Sequence, residues 1–302
     1  MHVGRGLEPD LMVKIEPMNL LAFDTSTDVM SIAVQRGVGA APGLGGTDGT
    51  GAAPQVWLHT GAGGAQASTT LIPAIQQLMQ QANLRFDELD AIAFGRGPGS
   101  FTGLRTACSV AQGLAFGAGV PVLPVDTLLA VAEEARLARS LRSGGNDFTA
   151  TSMASGGLGG LGGLSGLGEP DASIAVPGGV PGSFRVLAVL DARMDEVYAA
   201  SYEFNIGLWN QNQGYSLIRP ENLLLEDAWA MAGNAFAAYG GRMPAGHAIR
   251  IPAWPTASAM LRLAPALLAA GHAVPADQAL PTYIRDKVAK TTQERLLEKA
   301  AA

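Results

Sequence analysis

Leu20-Leu21-Ala22-Phe23-Asp24, followed after a polar turn by Val29-Met30-Ser31-Ile32-Ala33-Val34, is the stretch on which the fold turns. A short apolar run closed by an acid marks a buried strand, and the alternating segment after the turn marks a second strand folding back on the first. The same grammar returns later, where Val186-Leu187-Ala188-Val189-Leu190 ends in Asp191 and, after another turn, an alternating segment runs from Val197 to Tyr202. A repeated opening of this kind points to a duplicated unit, and so to two related lobes facing one another.

Working outward, the pattern predicts a short strand from Gln55 to His59, a helix from Thr70 to Ala82 and an apolar strand from Ala91 to Phe94. It continues with a helix from Thr102 to Gly117, a strand from Val120 to Val125 and a helix from Thr127 to Arg139. Three strands followed by two crossovers is the order of a ribonuclease-H-like lobe. Two such lobes give the α/β architecture of actin, sugar kinases and Hsp70, with mixed sheets flanked by helices. In the second lobe the expected later elements are a helix at Leu223 to Ala232, a strand at Ala235 to Tyr239, a helix at Ala257 to Ala270 and an extended end at Leu280 to Ile284.

Two Gly-rich stretches, Gly37 to Pro54 and Gly144 to Gly182, show neither period and bury too little apolar area to offset the entropy of ordering, so they are expected as flexible insertions. The second marks the lobe boundary. The expected organisation is an N-terminal lobe over 18–141, an insertion over 142–183, a C-terminal lobe over 184–290 and a tail over 291–302.

The chain is 48% hydrophobic and 15% charged, yet no apolar run reaches the ~18 residues that span a bilayer, and the N-terminus lacks the pattern of a secretory leader. A cytoplasmic protein is expected. A net charge of −6 argues against an independent nucleic-acid site, which rests on clustered cations. The densest basic stretch, Arg285, Lys287, Lys290, Arg295 and Lys299, is diluted by Asp286, Glu294 and Glu298 and reads as a solvated helix. Any RNA would be held by another subunit. The single Cys108 lies in a small-residue helical pattern and reads as a buried structural thiol.

Enzymes of this architecture grip metal and phosphate with an acid ending the first strand, hydroxyls in the turn after it, and a matching turn in the second lobe. Asp24, Thr25 and Ser26 supply the first turn. The second, Asp191-Ala192-Arg193-Met194-Asp195-Glu196, has no glycine for close phosphate approach and adds acids that repel it. Half a phosphate clamp is not an ATPase site, and both aspartates also suit turns in which the side chain binds nearby backbone. The alternative is an ATP-dependent small-molecule kinase using Asp24 and Asp191 around a metal-bound nucleotide. Its adenosine-binding Gly-Gly pair has only a poor counterpart in Ala232-Gly233-Asn234 with Gly240-Gly241. Phe94-Gly95-Arg96-Gly97-Pro98-Gly99-Ser100-Phe101-Thr102-Gly103-Leu104-Arg105 is a Gly-rich turn opening a helix that Ser100 or Thr102 can cap, without the Gly-Lys-Ser/Thr ending of a P-loop.

The strings LLAFDTSTDVMSIAV, LDAIAFGRGPGSFTGLRTACSVAQGLA and VLAVLDARMDEVYAASYE resemble the TsaB family, also called YeaZ, over most of 18–140 and the start of the second lobe. The resemblance implies an actin-like fold without catalysis or a cofactor of its own, paired with a catalytic homologue, TsaD. TsaD transfers threonylcarbamoyl to adenosine 37 of tRNAs reading ANN codons, with the help of the ATPase TsaE. It marks Asp24, Thr25, Ser26, Arg96, Gly97, Gly99, Ser100, Thr102, Asp191, Arg193 and Glu196 as family-motif turn residues. A weak nucleotide contact at the subunit boundary, and a homodimer when the chain is alone, stay open. The catalytic relatives hold metal on two histidines at helical spacing, whereas His2, His59, His247 and His272 lie far apart, so no helical pair forms and no metal is expected.

The helix from Thr70 to Ala82 sets Leu71, Ile75, Leu78, Met79 and Ala82 on one stripe and Gln76, Gln77, Gln80 and Gln81 on another, with no charged residue between Gln55 and Asn83. Interface cores are depleted in charge, while solvated helices usually carry it. In the helix after the Gly-rich turn, Leu104, Ala107, Cys108, Ala111 and Leu114 form one stripe and Arg105, Ser109, Gln112, Gly113 and Phe116 a second. A partner face is expected on these two helices, at Leu71, Ile75, Gln76, Met79 and Gln80 of the first and Gly103, Arg105, Ser109, Gln112, Gly113 and Phe116 of the second.

Overall fold

The computed structural model describes residues 18–37, 54–143, 183–226, 229–244 and 249–285. Nearly all of both Gly-rich insertions, and the tail beyond 285, lie outside the described residues.

β1 (Leu20–Asp24), β2 (Val29–Arg36) and β3 (Gln55–Ala62) form an antiparallel meander. After α1 (Ala67–Gln81), β4 (Ala91–Gly97) returns parallel to β1. After α2 (Phe101–Ala118), β5 (Val122–Asp126) pairs parallel to β4, leading into α3 (Thr127–Ser143). The sheet order is β3-β2-β1-β4-β5. The second lobe repeats it with β6 (Phe184–Arg193), β7 (Glu196–Asn205), β8 (Leu208–Ile218), β9 (Ala230–Gly233) and β10 (Arg250–Pro252), in the order β10-β9-β6-β7-β8. Here too the first three strands are antiparallel and the last two join in parallel. The duplication read from the two openings therefore extends to the whole of each sheet.

Because successive side chains in a strand point to opposite faces, β1 feeds two cores. Leu21 and Phe23 meet the outer core with α1 and α2, whereas Leu20 and Ala22 meet a core that continues into the second lobe. That shared core also holds Val186, Ala188 and Leu190 of β6, with α3 and α5 (Ala257–Ala269) packed between the sheets. Leu187 and Val189 face the second lobe's own smaller core.

A buried charge cluster ties these central helices together. Glu133 on α3 receives Arg136 Nε at 2.8 Å, Arg262 Nε of α5 at 2.8 Å and Trp209 Nε1 of β8 at 3.1 Å. Burial pushes its carboxyl up, and the hydrogen bonds from Arg136 and Arg262 outweigh this, holding it below the usual carboxylate range.

Two expectations in the second lobe are corrected. Leu223 to Ala232 is not a helix: a short 3-10 turn at Pro220–Asn222 precedes extended chain and then β9. The Leu, Ala and Met content favours helix, but Ala230, Met231, Ala232 and Gly233 pair with Val186 to Val189 and are buried, so tertiary pairing overrides propensity. Ala235 to Tyr239 is not a strand either, since α4 (Phe236–Tyr239) is a single helical turn in which Tyr239 N–H donates to Ala235 O at 2.9 Å. β8 and β10 were not anticipated, and α1 starts three residues before Thr70.

Candidate functional site

The turns after β1 and β6 approach one another across a cleft of about 850 Å³ between the lobes. In the first turn Asp24 is fully buried. Its Oδ1 accepts from Ser26 N at 2.8 Å and Ser26 Oγ at 2.6 Å, and its Oδ2 accepts from Thr127 Oγ1 at 3.3 Å. Burial pushes the carboxyl up to about 6, even though the Ser26 and Thr127 hydrogen bonds pull it down. Asp24 is thus spent on its own turn and does not line the cleft.

The Gly-rich segment lies directly on this turn. A Cβ at Gly95 would fall 1.8 Å from Asp24 Oδ2, and one at Gly103 would fall 1.9 Å from Thr25 O. Thr25 Oγ1 donates to Gly103 O at 2.7 Å, and Ser100 N donates to Ser26 O at 2.7 Å. The glycines serve this close contact between β1–β2 turn and α2. Ser100 is the residue before α2, but its side chain makes no cap, and Thr102 is exposed with its carbonyl bound by Thr106 Oγ1. Gly97 N donates to Thr127 Oγ1 at 3.1 Å, while Gly99 and Ser100 line the cleft and Arg96 turns away to pair with Asp126.

The second turn repeats the device. Asp191 Oδ1 accepts from Arg193 N at 2.7 Å and Tyr239 Oη at 3.1 Å, and Asp191 N donates to Asn234 Oδ1 at 2.9 Å. Its other acids are also occupied: Asp195 pairs with Arg242 at 2.7 Å and Glu196 with Arg285 at 2.8 Å. Gly233, the nearest approach to a nucleotide glycine, is taken up by packing, since a Cβ there would fall 1.6 Å from Val189 O. Asp191 does line the cleft, with its Oδ2 paired to Arg193 at 2.9 Å, and among the described residues no three of His, Cys, Asp and Glu cluster as a metal site. Nor is any helix among them long and apolar enough to cross a membrane.

Sequence reasoning missed the segment that crosses this cleft. Thr282 N donates to Arg96 O at 2.7 Å, and the Tyr283 ring packs on Phe101 at 5.2 Å, with the Arg105 guanidinium 4.0 Å over that same ring. Two residues on, Arg285 reaches the second lobe, donating to Ala192 O at 3.1 Å and pairing with Glu196. Its side chain is only 12% exposed, so the expectation that Arg285 is solvated is corrected. The signal was an aromatic and a cation in an extended segment, which composition alone does not assign to a partner.

On the helices, part of the expected partner face is corrected as well. Leu71, Ile75 and Met79 are buried in this chain's own outer core, and Gly103 is buried against the Thr25 backbone. Gln112 is half-buried, with Nε2 donating to Ala279 O at 2.8 Å; Cys108 Sγ donates to the same carbonyl at 3.2 Å, and burial pushes its thiol up. Gln76 and Gln80 of α1 and Arg105, Ser109, Gly113 and Phe116 of α2 remain exposed, Phe116 to 84%.

The family model described as "TsaD: tRNA N6-adenosine threonylcarbamoyltransferase" matches residues 58–157. The chain is 28% identical over 284 residues to the tRNA threonylcarbamoyladenosine biosynthesis protein TsaB of Escherichia coli, spanning 90% of this chain and 96% of that one. The TsaB of Haemophilus influenzae is 37% identical over 123 residues, 40% of this chain and 44% of its own. The solved structure of YeaZ from Pseudomonas aeruginosa matches with a TM-score of 0.62 at 31% identity, covering 88% of this chain and 100% of that one.

Proposed function

Because the chain belongs to the TsaB (YeaZ) family, we propose that it is a non-catalytic subunit of the assembly that makes N6-threonylcarbamoyladenosine in tRNA, docking on a TsaD-like catalytic subunit through the outer faces of α1 and α2. The observation that carries the reading is Phe116, a large apolar side chain 84% exposed on α2, with Ile72 exposed on the stripe of Gln76 and Gln80 on α1. Such a side chain is what interface hot spots are made of, and its uncharged surroundings on α1 suit a desolvated patch. The engagement of Asp24 and Asp191 by their own turns supports the absence of catalysis and disfavours the kinase reading.

In this reading a TsaE-like ATPase joins the assembly, tRNA is reached only through the complex, and the setting is the cytoplasm. A free chain uses the same helices to pair with a second copy. The test is Phe116→Asp, mixed with the TsaD-like subunit and followed by size exclusion and calorimetry. An exposed residue leaves the fold intact, and affinity falls by about thirtyfold or more, the scale of a hot-spot aromatic at about 2 kcal/mol. Unchanged assembly sinks the proposal.

A further inference from the structure

An edge strand offers unpaired N–H and C=O groups to any strand that meets it, so folded chains guard their sheet edges with prolines, charges, bulges or brevity. The edges of the two sheets are β3, β5, β8 and β10, and all but β3 carry a guard. β5 holds Pro124 and is bridged by Val274, which exchanges bonds of 2.9 and 2.8 Å with Val122. β10 is three residues long and contains Arg250 and Pro252. β8 loses register with β7 in two places, which bends its edge. β3 is eight residues in unbroken register with β2, and it has neither a proline nor a charged side chain.

The ladder fixes which backbone groups of β3 face outward. Gly63 N donates to Asp28 O at 2.8 Å, and on the far side of β2 Gly37 N donates to Asn19 Oδ1 at 3.0 Å. Hydrogen-bonded pairs alternate along an antiparallel ladder, so Trp57, His59 and Gly61 bond to β2, while Val56, Leu58, Thr60 and Ala62 each turn one N–H and one C=O outward. Among the described residues no bond from outside the sheet reaches those groups. The side chains follow the same alternation: Trp57 packs on the outer core, whereas Val56 is 45% exposed and Leu58 55%.

We propose that β3 pairs antiparallel with β3 of a second copy of this chain, about a two-fold axis at His59, so that the two five-stranded sheets run on as one. In this register Val56 lies opposite the partner's Ala62 and Leu58 opposite the partner's Thr60. These are the outward-bonding positions, so every free N–H and C=O of the strand is satisfied, and each larger side chain meets a smaller one. No like charges fall opposite one another. Asp28 flanks one end of β3 and Arg36 the other, so each copy turns its acidic end toward its partner's basic end. The strand is complementary to itself, which is what a two-fold interface requires. The inference does not rest on the docking face of α1 and α2.

The test is sedimentation equilibrium on the full chain carrying Phe116→Asp, which silences the helix face, so failure of the docking reading leaves the result unmoved. A dimer forms with a dissociation constant of about 10–100 µM, the range of a small interface. Leu58→Lys, at an exposed position, places a charge on the edge; it weakens the dimer about tenfold or more and leaves the melting temperature unchanged. With Cys108 replaced by alanine, His59→Cys yields a disulfide-linked dimer under mild oxidation, because residues on the axis bring their Cα atoms to about 4.5 Å. Val56→Cys does not, since its copy lies about 20 Å along the strand. A monomer up to about 500 µM, which is the outcome if another segment covers the edge, overturns the proposal. So does a dimer indifferent to Leu58→Lys, or cross-linking at residue 56 but not at 59.

Discussion

Replacing Asp24 with Asn tests whether the aspartate that ends β1 is kept for its turn rather than for its charge. Burial raises its carboxyl from 3.8 to about 6. The folded value lies above the unfolded one, so its stabilising effect is complete below pH 3.8 and is lost as pH rises through about 6. A shift of about two units at 1.36 kcal/mol each leaves the wild type carrying a penalty of about 3 kcal/mol at neutral pH. Asn keeps an oxygen to accept from Ser26 N and Oγ and cannot ionise, while its Nδ2 replaces the oxygen that accepted the long 3.3 Å bond from Thr127 Oγ1 and must donate to that hydroxyl instead. The difference in unfolding free energy between Asp24→Asn and wild type, from urea melts at a series of pH values, cancels the titration of every other group. It is expected near zero at about pH 3 and about 3 kcal/mol in favour of the variant at about pH 8. In thermal melts that is about 6 °C for a chain of this size. Parallel pH profiles, or a variant less stable at about pH 8, would refute the reasoning and show that the Ser26 donors outweigh burial.

Glu133→Ala removes the buried partner of Arg136 and Trp209, while Arg262 keeps Glu134, and costs about 3 kcal/mol in urea unfolding, with Glu133→Gln intermediate. Gly103→Ala drives a methyl into the Thr25 carbonyl, separates α2 from the β1–β2 turn and lowers stability by about 2 kcal/mol or more in thermal melts. Arg285→Ala frees the β6–β7 turn, so amide exchange at residues 192–196 quickens while that of β1 stays unchanged. Cys108 reacts with a thiol reagent only at the rate of opening, because it is buried and its thiol is shifted up.

The central sheets were legible because strands such as residues 20–24 and 186–190 are buried on both faces and print that burial as apolar runs. β8 was not, because it is an edge strand whose Asn210, Gln211, Asn212 and Gln213 are exposed. Only its pairing with β7 makes it a strand. The Asp24 and Asp191 turns could be read because a short side chain binds backbone two residues on, a local event. Arg285 could not, because its partners lie some ninety residues earlier in the chain. The helix faces were half legible: periodicity separated two stripes, but the bond from Gln112 to Ala279 joins distant segments and leaves no periodic trace.

The shared core has a mechanical consequence. Here α3 and α5 belong to the interior of both halves at once, and the segment ending in Arg285 stitches the gap from outside. Spreading the halves would drag apolar side chains into water and break ion pairs in one step. Prising the halves apart therefore forfeits interior burial and the Arg285 clasp together.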